Sequence, residues 1–253
     1  MDNRIILEPI SKIKEIARQS LAGKWKEMYL GMFIYFALIS IVSMVLDHFF
    51  TVNDYVQMYD GSSMMIELTY ASSFYELVVM GALTCGMAMF MLAFFRAKKT
   101  DYGLLFEGFS MFGKCFWLYL LYSIKIALWS LLFVIPGVIA AFRYSQCFYL
   151  RVDHPEWTAG MCLKESSHLM MGNKGKYFGL QLSFIGWYML ALLPTVLLSM
   201  FQTSDLMLMV VAIVGSIPVL IVDLYMQVTN TAFYELLNGN LVVVREKTDE
   251  FFY

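Results

Sequence analysis

The run from Trp117 to Asp153 reads WLYLLYSIKIALWSLLFVIPGVIAAFRYSQCFYLRVD: two apolar segments meet at Ile135-Pro136-Gly137, with one cation in each. An apolar stretch this long has to be covered by lipid or by a large core. Whether it crosses once or turns back decides the topology of everything else. Crossing once, it sends the next segment outside, with Arg151, Lys164, Lys174 and Lys176. Cytoplasmic loops retain the excess of Lys and Arg, so that path breaks the positive-inside rule. Turning back, it returns the same segment to the cytoplasm. Pro cannot donate a helical hydrogen bond and Gly permits a tight reversal, so Pro136 and Gly137 are read as a structural turn.

Composition supports a bilayer solvent. Hydrophobic residues make up 60% of the 253-residue chain and charged residues 15%. Soluble domains average roughly 45–50% and about 25%. The net charge of −2 offers no basic field for a nucleic acid.

Six spans follow, at about 28–46, 73–95, 115–134, 138–152, 177–199 and 206–228. The first reaches about 29 Å at ~1.5 Å per residue, close to the hydrocarbon thickness. The fourth is short, about 22 Å on the same rise, and needs shelter from protein or a thinned bilayer. Segments 1–27, 96–114, 151–176 and the tail hold six, four, four and two Lys or Arg, whereas the intervening loops hold none. Only Lys125 and Arg143 remain, both inside spans. The partition favours six spans with both termini cytoplasmic in the cell (plasma) membrane. The expected fold is an all-α polytopic transmembrane helical bundle of three hairpins, one integral membrane domain over residues 1–253.

Each hairpin is preceded by an amphipathic stretch. Ile10, Ile13, Ala17 and Leu21 recur at helical spacing in the first. It reads either as a helix lying on the leaflet or as one packed on other segments. Residues 102–112 and 157–171 repeat the pattern and are read as a second and a third interfacial helix. A Gly near the close of each stretch (Gly23, Gly113, Gly172) leads into the following span, a weak internal repeat. No cleavable leader is expected, because the first apolar run continues for a full span without a small-residue cleavage site.

Charges inside a bilayer are costly and mark function by default. Lys125, Arg143 and Asp223 lie within spans, and Glu76 near the outer end of the second. The expected pairs are Glu76 with Arg143 and Lys125 with Asp223. They form either a polar path for a ligand or ion, or structural ion pairs that set helix register. Gln146, Gln181, Gln227, Thr229 and Asn230 read as interhelical hydrogen-bonding groups. Cys85, Cys115, Cys147 and Cys162 have no metal or CxxC spacing and read as small apolar fillers. His48, His154 and His168 form no ligand pattern, so neither metal nor cofactor is expected. No nucleophile motif or phosphate loop is present.

The segments LFVIPGVIAAFRYSQCFYLRVDHP and LKESSHLMMGNKGKYFGLQLSFIGW, with ARQSLAGKW and LLFEGF upstream, carry a resemblance. They resemble the bacterial integral-membrane family catalogued as domain of unknown function 975, found largely in Gram-positive bacteria. More loosely they are similar to the membrane domain of some glycerophosphodiester phosphodiesterases. Gln146 and Arg151 depart from the apolar or small residues expected at their positions. The resemblance implies a helical multi-pass protein and supplies no activity or catalytic residues.

Three functions remain open. The first is a non-enzymatic protein that binds or moves an amphipathic ligand, lipid or peptide, with membrane lipids and an exporter or envelope enzyme as partners. The second is a structural scaffold subunit. The third is an intramembrane lipid-modifying enzyme.

Overall fold

The computed structural model describes residues 4–57, 63–68, 70–199 and 205–241, with side chains for 4–51, 70–197 and 215–241. The basic tail with Arg245 and Lys247, and residues 201–204 of the acidic turn expected at 201–205, lie outside the described residues. The fold is helical. It runs α1 Ile10–Leu21, α2 Trp25–Phe50, α3 Tyr70–Ala97, α4 Leu104–Glu107, α5 Phe112–Leu132, α6 Val134–Tyr144, α7 Cys147–Asp153, α8 Ala159–Leu169, α9 Lys174–Ser199 and α10 Asp205–Leu237. Among the described residues four helices are long and apolar enough to cross a membrane: α2, α3, α5 and α9 over Lys174–Leu197. Large apolar side chains stand exposed along them, among them Phe33, Ile41, Leu128 and Leu190, which water would not tolerate in such number.

The hairpins pair as the apolar pattern requires. α2 lies against α3, with Tyr75 Oη donating to the Leu38 carbonyl at 2.9 Å. α9 lies against α10, tied by Gln181 Nε2 to Asn230 Oδ1 at 2.7 Å. α10 continues nine residues past the expected end at Val228. Its polar run Thr229-Asn230-Thr231 does not stop the helix because each side chain is satisfied. Thr229 and Thr231 donate to the Tyr225 and Gln227 carbonyls one turn back, a bond that helical Thr readily makes.

Several expectations are corrected. Between α2 and α3, β1 (Val52–Gln57) pairs antiparallel with β2 (Ser63–Leu68), an element not expected in an all-α fold. The Asp60-Gly61 dipeptide between these runs is the hairpin composition that could have announced it. The reversal in the central hairpin falls at Phe133, with φ −163° and ψ 156°, not at Pro136-Gly137. Both residues belong to the start of α6, where the missing N–H of Pro costs nothing because it would have no helical partner. Gly137 is needed for packing: a Cβ there would lie 2.1 Å from Ser130 Oγ.

The segment expected to form a fourth span is not one helix. α6 ends at Tyr144, Ser145-Gln146 form a break, and α7 continues to Asp153. The second amphipathic stretch is also not an interfacial helix. Only Leu104–Glu107 is helical, and the segment turns back along the middle of α3. There a Cβ on Gly86 would lie 2.0 Å from the Leu105 carbonyl oxygen, and one on Gly108 1.9 Å from that of Ala82.

α1 buries Ile13, Ala17 and Leu21. Ala17 and Leu21 pack with Met28, Phe90, Leu224 and Val228, so protein covers the apolar face of this helix. α8 is capped by Thr158, whose Oγ1 accepts from Met161 N at 3.3 Å. Gly23 and Gly172 take positive φ (76° and 78°) after α1 and α8. Gly113 does not, so the repeat holds for two of its three units.

Candidate functional site

The break between α6 and α7 is held open by α8. Ser166 Oγ donates to the Arg143 carbonyl at 3.0 Å and accepts from Gln146 N at 3.2 Å. One hydroxyl thereby replaces the helical bonds that the break removes. Ser145 Oγ turns back to the Phe142 carbonyl at 2.9 Å. Gln146 is fully buried, and its Oε1 has no hydrogen-bond partner.

Beside the break lies an interior cavity of about 110 Å³. At about 30 Å³ per molecule of liquid water, it has room for three or four waters or one small polar group. Hydroxyls and amides from several helices face it: Tyr35 of α2, Thr84 of α3, Ser145 at the break, Tyr149 of α7, Tyr177 of α9, and Gln227 and Asn230 of α10. Met87, Ala88 and Phe148 complete the wall. Tyr149 Oη lies 3.2 Å from Thr231 Oγ1. Among the described residues no charged side chain lines the cavity. It suits an uncharged hydrogen-bonding group and disfavours an unpaired ion, whose burial is costly without a counter-charge.

The four charges singled out in the sequence do not converge. Glu76 accepts from Ser43 Oγ of α2 at 3.1 Å. Asp223 accepts from Tyr188 Oη of α9. The Lys125 ammonium stands 5.2 Å from the centroid of the Tyr144 ring. Arg143 Nε is buried without a hydrogen-bond partner. Neither expected pair forms, because each acid is already met by a hydroxyl on the neighbouring helix. Arg143 also sits deeper toward the basic end than its place in a straight span implies. The preceding Phe142 packs on Tyr177 and Phe178 in the first turn of α9, at ring distances of 5.6 and 5.8 Å.

The ion cluster that does form was not anticipated. Arg96, at the end of α3, holds Asp153 with two parallel bonds, Nη1 to Oδ1 and Nη2 to Oδ2, both 2.7 Å. Its Nε reaches Glu235 Oε1 of α10 at 2.8 Å. Tyr234 Oη donates to Asp153 at 2.8 Å and Asn240 Nδ2 to Glu235 at 2.9 Å. One guanidinium thus joins the ends of all three hairpins. Burial works to raise the Asp153 carboxyl, but the bonds from Arg96 and Tyr234 outweigh it and hold it below the ordinary range. The legible signal was an acid directly after the expected fourth span, another two helical turns beyond the expected sixth, and a cation directly after the expected second.

The two departures noted in the sequence are both buried. Arg151, 1% exposed, donates from Nη1 to the Trp157 carbonyl at 2.6 Å and leaves Nε unpaired. It pins the loop between α7 and α8. All four cysteines are buried and free. Asn173, also buried, clamps the amino-terminal segment: Oδ1 accepts from Ile6 N at 2.9 Å and Nδ2 donates to the Arg4 carbonyl at 2.8 Å. Lys176 adds bonds to the Ile6 and Glu8 carbonyls at 2.6 and 2.9 Å.

A family model described as a protein of unknown function (DUF975) matches residues 7–141 and again 131–240. No curated protein and no solved structure matches the chain.

Proposed function

The chain belongs to the DUF975 family, and from its own geometry we propose a non-catalytic membrane protein that binds or moves an amphipathic molecule. The uncharged polar cavity at the break between α6 and α7 carries this reading. Irregular backbone within an apolar bundle is tolerated where it lines a cavity or is buried in protein, and broken helices recur at the binding sites of membrane carriers. The polar part of the ligand enters the cavity while its apolar part stays among the exposed side chains of the helices. The topology that goes with this reading is six spans in the plasma membrane, α6 and α7 together forming the fourth, with both termini in the cytoplasm. The basic ends of the helices then face anionic headgroups.

The test uses purified protein in detergent micelles, titrated with a fluorescent monoacylglycerol and with a short neutral lipopeptide. Saturable binding of one probe is expected. Ala88→Leu, which fills the cavity wall, is expected to weaken it by roughly tenfold or more while the protein stays folded. If neither probe binds, or if Ala88→Leu leaves the affinity unchanged, the cavity is not the site.

A further inference from the structure

We propose that Arg143 and Lys174 form a binding site for the phosphate of an anionic phospholipid, whose acyl chain lies in the notch between α5 and α6. The site lies on the lipid-facing side of the central hairpin, apart from the interior cavity, and does not depend on how that cavity is used.

The argument begins with where cations end. Among the described residues, the other buried or half-buried cations have partners. Lys12 and Lys24 pair with Glu15 and Glu27. Lys14 and Lys176 end on backbone carbonyls, as does Arg151. Lys125 ends on an aromatic ring. Arg143 Nε is buried without a hydrogen-bond partner, and among the described residues no salt bridge joins a carboxylate to Arg143 or Lys174. Packing brings the two to one place: Phe142, beside Arg143, lies on Tyr177 and Phe178 in the first turn of α9, which Lys174 begins, at ring distances of 5.6 and 5.8 Å. Two unpaired like charges near an apolar medium are unfavourable unless an anion sits between them.

The surroundings specify the anion. Arg143 lines one end of a cavity of about 250 Å³ whose other walls are Trp129, Pro136, Ile139 and Ala140. Apart from the guanidinium these walls are apolar, and Ala140 makes the notch by being small. From Arg143 to Pro136 the groove runs about 10 Å along α6, at ~1.5 Å per residue. A planar guanidinium donates two parallel bonds to a phosphate, and a lysine adds a mobile point charge. A phospholipid supplies both the phosphate and the chain that the groove requires.

The experiment is native mass spectrometry of the full chain from micelles doped equally with phosphatidylglycerol and phosphatidylcholine. The wild type is expected to retain phosphatidylglycerol preferentially. Lys174→Gln, at an accessible helix end where folding is not at risk, is expected to reduce that preference roughly fivefold, and Arg143→Gln by at least as much. Lys164→Gln, exposed on α8, is expected to leave it unchanged. Three results would each overturn the site: no preference in the wild type, a preference that survives both substitutions, or an equal loss on Lys164→Gln. Displacement of the bound lipid by millimolar inorganic phosphate would also count against it, because the groove would then contribute nothing.

Discussion

The residue that holds the basic end together is Arg96. It is 38% exposed, yet it faces a Glu235 side chain that is only 2% exposed. Removing the arginine leaves that carboxylate buried without its cation, a change that typically costs about 3–5 kcal/mol. Arg96→Ala is therefore expected to lower the thermal midpoint in micelles sharply, whereas Lys99→Ala, on a well-exposed side chain, is expected to leave it within error. Because the Asp153 carboxyl is held low in the fold, its contribution is complete above the ordinary aspartate range. It is lost as pH falls through the depressed value. Acid titration of the midpoint should show a drop below about pH 4, and Asp153→Asn should remove that drop. These partners were visible as residue types, but the sequence does not say that three helix ends meet at one point. Lys125, Asp223 and Glu76 show the converse. Each was identified as an intramembrane charge, yet a hydroxyl or an aromatic ring meets each of them, and those groups leave no periodic signature.

At the scale of elements, α3 organises the bundle through the close approach of backbones. Gly86 and Gly108 allow the segment after α3 to press against it, with carbonyl oxygens where side chains would stand. Gly86→Ala or Gly108→Ala should cost about 1–3 kcal/mol or prevent assembly. Gly113→Ala, with nothing within 4 Å of its Cβ, should leave stability unchanged or slightly raised by better helix propensity. Equal effects at the three positions, measured by thermal unfolding, would show that the close contacts are not what holds the segment. The break between α6 and α7 depends likewise on Ser166. Ser166→Ala removes both of its bonds and should destabilise by about 1–3 kcal/mol. The apolar run through this region is nearly continuous, so its hydropathy reports a span and hides the interruption.

For the whole molecule, the decisive question is which side each end of the bundle faces. Among the residues with described side chains the cysteines are buried, so a single added cysteine can be read in the native background. Asp54→Cys is expected to react with an impermeant thiol reagent in intact cells. Lys164→Cys, exposed on α8, is expected to react only after permeabilisation. Labelling of Lys164→Cys in intact cells would require five spans and would reverse the assignment of the third hairpin.

The sequence alone determined the class of the protein, the three hairpins and the positions of most helices, because hydrophobic transfer is additive along the chain and can be summed residue by residue. It also identified the segments that carry the family resemblance. The tertiary structure decided the rest. It set the reversal at Phe133, placed Leu104–Glu107 against the middle of α3, separated α6 from α7 at Ser145-Gln146, and joined Arg96 to Asp153 and Glu235. It also left Arg143 Nε buried without a hydrogen-bond partner. Each of these depends on which groups from distant segments come within hydrogen-bond reach. Such pairing is a property of three-dimensional proximity, to which composition and periodicity are blind.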